Sequence, residues 1–241
     1  MAAPRVFIGV GHGGSDPGAV ANGLREEDLN LVTALACNEE LVRHGVVTLM
    51  SRTTDEEDTL KQEIAECNAF DPALALDFHH NAGGGDGVEV FHSINGGKGK
   101  ELAQAIIDEI VALGQNSRGI KTKRNASGLD WYGFIRQTKA PAVIVEVAFL
   151  DSKDHEFVDT EEEQKRNGVA IAKAVLKKLG IEWKPAEKKQ IVLGEFDTLR
   201  EADDYLSGLL AKMDYAMAQA DLAKLAAADV KSELLNAKVV G

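Results

Sequence analysis

His12, the adjacent pair His79-His80, and Glu146 are the side chains of this sequence best placed to do chemistry. Each lies at or near the end of an apolar run: Val6 to Val10 before His12, Pro72 to Phe78 before His79, and Pro141 to Val147 around Glu146. Short apolar runs of this length read as buried strands. In an open parallel sheet, chemistry collects just beyond the carboxyl ends of the strands. Imidazole and carboxylate are the donors zinc takes where no thiolates are offered. Two histidines and a carboxylate from strand ends far apart in sequence can therefore meet at one point. Neighbours on a strand face opposite ways, so only one of His79 and His80 can aim there if the strand continues that far. Glu26 and Glu27 open a probable helix, where they suit the positive end of its dipole. Periodicity does not tell which of them, if either, faces the site. His44, His92 and His155 read as surface or loop residues.

The elements that must position these residues are legible by period. Glu26 to Arg43 reads as a helix, with Leu29, Val32, Ala36 and Leu41 near one face and Gly45 ending it. Further helices are expected over Glu57 to Phe70, Lys100 to Leu113 and about Glu161 to Leu179, and strands over Val46 to Met50 and Val88 to His92. Gln115 to Ile135, with its glycines and Trp131-Tyr132, reads as irregular and suited to holding substrate. Strands alternating with helices predict an α/β domain over residues 1–185, a twisted, mainly parallel sheet flanked by helices. Ala186-Glu-Lys-Lys189 reads as a linker. Residues 186–241 are expected to form a small C-terminal α+β module, too small for a rich core and therefore leaning on a partner or a second copy.

Composition excludes some partners. The 241 residues are 44% hydrophobic and carry a net charge of −12. That supplies a core and argues against nucleic acid or an anionic membrane as the main partner, since both want Lys/Arg clusters. Cys37 and Cys67, the only cysteines, read as small core residues rather than a disulfide framework or a zinc knuckle. No run approaches membrane length and no signal stretch opens the sequence, so synthesis in the cytoplasm without a signal peptide is expected. Gly9-Val-Gly-His-Gly-Gly14 fits a dinucleotide fingerprint, the basis of an alternative reading as an NAD(P)-binding oxidoreductase. That fingerprint wants a helix at its third glycine, and Ser15-Asp-Pro-Gly18 follows instead. The plainer reading is that the glycines let backbone crowd around His12.

Four segments in order, Gly11 to Ala19, Leu24 to Leu31, Phe78 to Ala82 and Pro141 to Leu150, strongly resemble the zinc-dependent N-acetylmuramoyl-L-alanine amidases. The resemblance covers residues 5 to about 180. It implies cleavage of the amide between N-acetylmuramic acid and the L-alanine of the peptidoglycan stem. It also implies one Zn²⁺, with His12, Glu26 and His79 as ligands and Glu146 as the catalytic carboxylate. Arg52 and Asp55 look like the family's Thr-Arg-x-x-Asp segment, with Ser51 for Thr. Three departures stand beside the site: Asp77 where the family has Ser, Glu63 near where it has Arg, and Ala148 where it has Gly. Asp77 either accepts from an imidazole of the site or simply faces a helix. The layout resembles a phage or prophage endolysin acting at the bacterial cell wall. Ile191 to Tyr205 faintly resembles the start of sporulation-related repeats, so the tail either binds wall or makes a homodimer. A silent wall-binding protein is a further alternative, against which stands the presence of all four site residues.

Overall fold

A computed structural model of the chain describes residues 3–186. In order, the elements are β1 (Arg5–Val10), β2 (Val20–Ala21), β3 (Leu24–Arg25), α1 (Glu26–Arg43), β4 (Val47–Met50), α2 (Leu60–Phe70) and β5 (Leu74–Asn81). There follow β6 (Val88–His92), α3 (Gly97–Val111), β7 (Ser117–Lys121), α4 (Gly133–Gln137), β8 (Ala142–Phe149) and α5 (Glu161–Leu179), with a 3-10 turn at Lys153–Phe157 before the last. Six strands make one sheet in the order β4-β1-β5-β8-β6-β7, and β2 and β3 form a separate small hairpin. Every pairing in the large sheet is parallel except β6 with β8. The expected α/β class and mainly parallel sheet are what is found.

Alternation along the strands divides the sheet into two unlike faces. Val6, Ile8 and Val10 of β1, Leu76 and Phe78 of β5, and Val143 and Val145 of β8 join the large core beneath α1, α3 and α5. Phe7, Ala75, Ala142 and Ile144 point the other way, against Ile64 and Cys67 of α2 and Phe134 and Ile135 of α4. Cys37 and Cys67 are both buried thiols, as expected. α5 packs against both α1 and α3. A Cβ at Gly168 of α5 would run into the Thr33 carbonyl oxygen and Ala36 Cβ of α1, so glycine there sets how closely the two helices approach.

Several expectations need correction. The helix expected from Glu57 begins at Leu60, because Thr59 and Gln62 close a capping box over its first turn. The helix expected over Lys100–Leu113 runs instead over Gly97–Val111. The stretch read as irregular contains β7 and α4. His92 is buried near the end of β6 rather than a surface residue. No helix among the described residues is long and apolar enough to cross a membrane. The expectations for residues 187–241, the small module and its role, lie outside the described residues.

Candidate metal centre

β1 ends at Val10 and the chain turns at once. His12 adopts a left-handed φ of 64°, and Gly13 and Gly14 continue with positive φ. A non-glycine residue in that region is held by its surroundings. Asp55 Oδ1 accepts from Gly14 N at 2.7 Å, and the buried Arg52 guanidinium donates to Val10 O at 3.1 Å and to Glu27 O at 2.8 Å. Arg52 and Asp55 thus fasten the His12 loop. The β2–β3 hairpin then returns the chain so that Glu26, the first residue of α1, faces the same spot. A side chain at Gly11 would strike the His79 ring, and one at Gly18 would strike both Glu26 and His12. The glycines around His12 are room for side chains. No helix opens at Gly14, which removes the context that the dinucleotide reading required.

The structure brings His12, Glu26 and His79 together. His12 Nε2 lies 3.2 Å and His79 Nδ1 2.9 Å from Glu26 Oε1. The two imidazoles meet edge to face, with centroids 5.0 Å apart. One donor atom from each of the three residues falls within a span of 4.8 Å, a group able to hold a metal ion. Glu26 is pinned by the backbone: Ala19 N donates to Oε2 at 2.9 Å and His80 N to Oε1 at 3.1 Å. The distal nitrogens are also engaged, His12 Nδ1 with Asp16 Oδ2 at 2.8 Å and His79 Nε2 with Asp77 Oδ2 at 3.2 Å. An imidazole whose far nitrogen meets a carboxylate offers its near nitrogen in one fixed orientation. His80 points to the opposite face, where its Nδ1 is 2.7 Å from Asn30 Oδ1 and burial lowers it to about 4.

Electrostatics fits a cation here. Burial works against charge on Glu26, but hydrogen bonds from His12 and His79 hold it well below the usual carboxylate range. The bond to Glu26 raises His12. Burial opposes charging His79, and the Asp77 and Glu26 carboxylates outweigh it. Protons on these imidazoles answer a surplus of negative charge, a need that a divalent ion bound by neutral imidazoles would meet.

Glu146 of β8 pairs in register with His79 and faces the same cavity, of about 510 Å³, which Tyr132 also lines. Its Oε2 is buried without a hydrogen-bond partner among the described residues, and burial pushes the group up to about 7. Sequence reasoning missed Asp16, Asn30 and the burial of Glu63. Asn30 left a signal, a polar residue between Leu29 and Thr33 on the buried stripe of α1. Asp16 left none, being one turn former among many.

A family model described as N-acetylmuramoyl-L-alanine amidase matches residues 6–177. The chain belongs to the N-acetylmuramoyl-L-alanine amidase family. Among its relatives is the N-acetylmuramoyl-L-alanine amidase CwlM of Bacillus licheniformis, 34% identical over 70% of this chain and 68% of that one. An endolysin of Bacillus phage SPP1 is also 34% identical, over 62% of this chain and 56% of its own. Among solved structures, Cwp6 from Clostridium difficile superposes with a TM-score of 0.72 at 35% identity, covering 74% of this chain and 30% of that one. Both faces of the sheet fall within the matched amidase segment, and so do His12, Glu26, His79 and Glu146.

Proposed function

We propose that the chain is a zinc-dependent peptidoglycan hydrolase that cuts the amide between N-acetylmuramic acid and the L-alanine of the stem peptide. In this reading His12 Nε2, a Glu26 carboxylate oxygen and His79 Nδ1 hold one Zn²⁺. The observation that carries it is the convergence of those three donors beside Glu146, whose Oε2 has no hydrogen-bond partner among the described residues. Zinc on three protein donors supplies a Lewis acid and lowers the pKa of water to about 7. Glu146 takes the proton of the attacking water and delivers it to the departing alanine nitrogen. Beside a bound divalent cation Glu146 would titrate below its cation-free position and so be ionised at neutral pH. Tyr132, beside it in the cavity, is raised chiefly by burial and keeps its proton there.

The same reading assigns residues 1–185 to catalysis and 186–241 to wall binding or dimerisation. It sets the action at the bacterial cell wall. The likeness to a phage endolysin supports a lytic role.

Digestion of purified walls with and without chelator, followed by mass analysis of the fragments, tests this reading. The expected product carries a new alanine amino terminus, disappears with chelator and returns with zinc. Glu146→Ala should keep the metal and the fold but lose about 10²–10⁴-fold in rate. Wall digestion that persists in Glu146→Ala, or that releases no alanine amino terminus, overturns it.

A further inference from the structure

Asp77 lies two residues before His79 on β5 and points to the same face. Its Oδ2 meets His79 Nε2 at 3.2 Å, while its Oδ1 is buried and has no hydrogen-bond partner among the described residues. Glu63, in the first turn of α2, is buried over the same spot, and its Oε1 is likewise without a partner. Both oxygens abut the place a Cβ would take at Gly9: Asp77 Oδ1 would be 3.0 Å from it, and Glu63 Oε1 would collide with it. β1 therefore carries glycine at the position where these two carboxyl groups converge. Among the described residues, neither makes an ion pair with a Lys or Arg. Two facing carboxyl oxygens, each otherwise without a partner among the described residues, can satisfy one another only through one O–H. Burial first, and the Asp77 charge second, push Glu63 well above the usual carboxylate range, which leaves it a neutral acid with one O–H to donate.

We propose that Asp77 and Glu63 form a positioning pair for His79. Asp77 Oδ2 accepts the Nε2–H of His79, so that Nδ1 is the nitrogen turned toward Glu26 and the ion. Glu63 donates its O–H to Asp77 Oδ1 and holds the carboxylate in place. Neither is a catalytic residue, since neither touches the reacting atoms. The pair ties α2 to the metal centre through a glycine-sized gap in β1. This inference rests on the ligand set proposed above.

Zinc affinity by chelator competition, measured on the full chain beside the melting temperature of the metal-free protein, tests it. Asp77→Ala should weaken zinc about 10–100-fold, the usual effect of removing a group that orients a metal-bound imidazole. The metal-free melting temperature shows that the variant is folded when its affinity is read. Glu63→Ala should weaken zinc by a smaller factor. Glu63→Gln should bind zinc like the parent, because its amide N–H still donates to Asp77. In the zinc-loaded parent, ¹⁵N spectra of His79 should show the proton on Nε2. Unchanged zinc affinity in Asp77→Ala, or equal losses in Glu63→Gln and Glu63→Ala, would each overturn the pair while leaving the ligand set standing; a proton on Nδ1 would overturn the pair together with the choice of Nδ1 as the donor atom. A parent that takes up no zinc sinks the ligand set, and the pair with it.

Discussion

Glu146 is buried, and its raised position of about 7 against an ordinary 4.5 has a consequence for folding as well as for catalysis. Below pH 4.5 the group is protonated folded or unfolded, and it contributes nothing to stability. Between 4.5 and 7 the unfolded chain ionises while the folded one keeps its proton, so this group makes stability fall as pH rises. Above 7 the cost is complete, on the order of 3 kcal/mol. Glu146→Gln, read by thermal melting of the metal-free protein, should therefore be more stable than the parent at pH 8 and indistinguishable from it near pH 4. Equal melting temperatures at pH 8 would mean that Glu146 is not strained by its burial. Other residues show where reading a sequence stops. Strand alternation alone says that His79 and His80 part company, but choosing between them takes the partners, Glu26 on one face and Asn30 on the other. Glu26 and Glu27 are both buried. No periodicity separates them, because each satisfies a different demand: Glu26 the imidazoles, Glu27 the Arg25 guanidinium.

α1 and α5 cross the back of the sheet in close contact, with Gly168 against the Thr33 carbonyl. Gly168→Leu should destabilise the fold by about 1–3 kcal/mol, the usual penalty for overfilling a packed interface. Chemical denaturation measures it. Because this seam lies on the face away from the cavity, the variant that remains folded should keep its zinc affinity. The long helices were legible in the sequence because each buries one stripe against a large core, which imposes a 3.6-residue period. α4 was not, since five residues are too few to show a period. β7 was not either, since its Ser117-Arg118-Gly119 opening lacks an apolar alternation and the strand lies at the sheet edge. The start of α2 is hidden in the sequence for a related reason. Acidic residues 56–58 resemble a helix opening, yet the cap that satisfies the first N–H groups is Thr59.

At the scale of the molecule, the division proposed near residue 185 predicts that a fragment ending at residue 186 folds and still cleaves small soluble muropeptides. The same fragment should lose binding to intact walls, or its dimer, whichever the tail provides. Sedimentation of the fragment with purified walls, and its hydrodynamic size, read the two outcomes. A fragment that aggregates or is inert toward soluble substrate counts against an independent catalytic unit. The two faces of the sheet also serve different ends. Three long helices and nearly all the aliphatic bulk lie behind it, while α2, α4, His79 and Glu146 lie in front, and α1 contributes its first residue, Glu26, to the metal centre. An engineer could therefore transplant the segments in front from one relative to another, exchanging what the protein recognises, and leave the hull that keeps it afloat untouched.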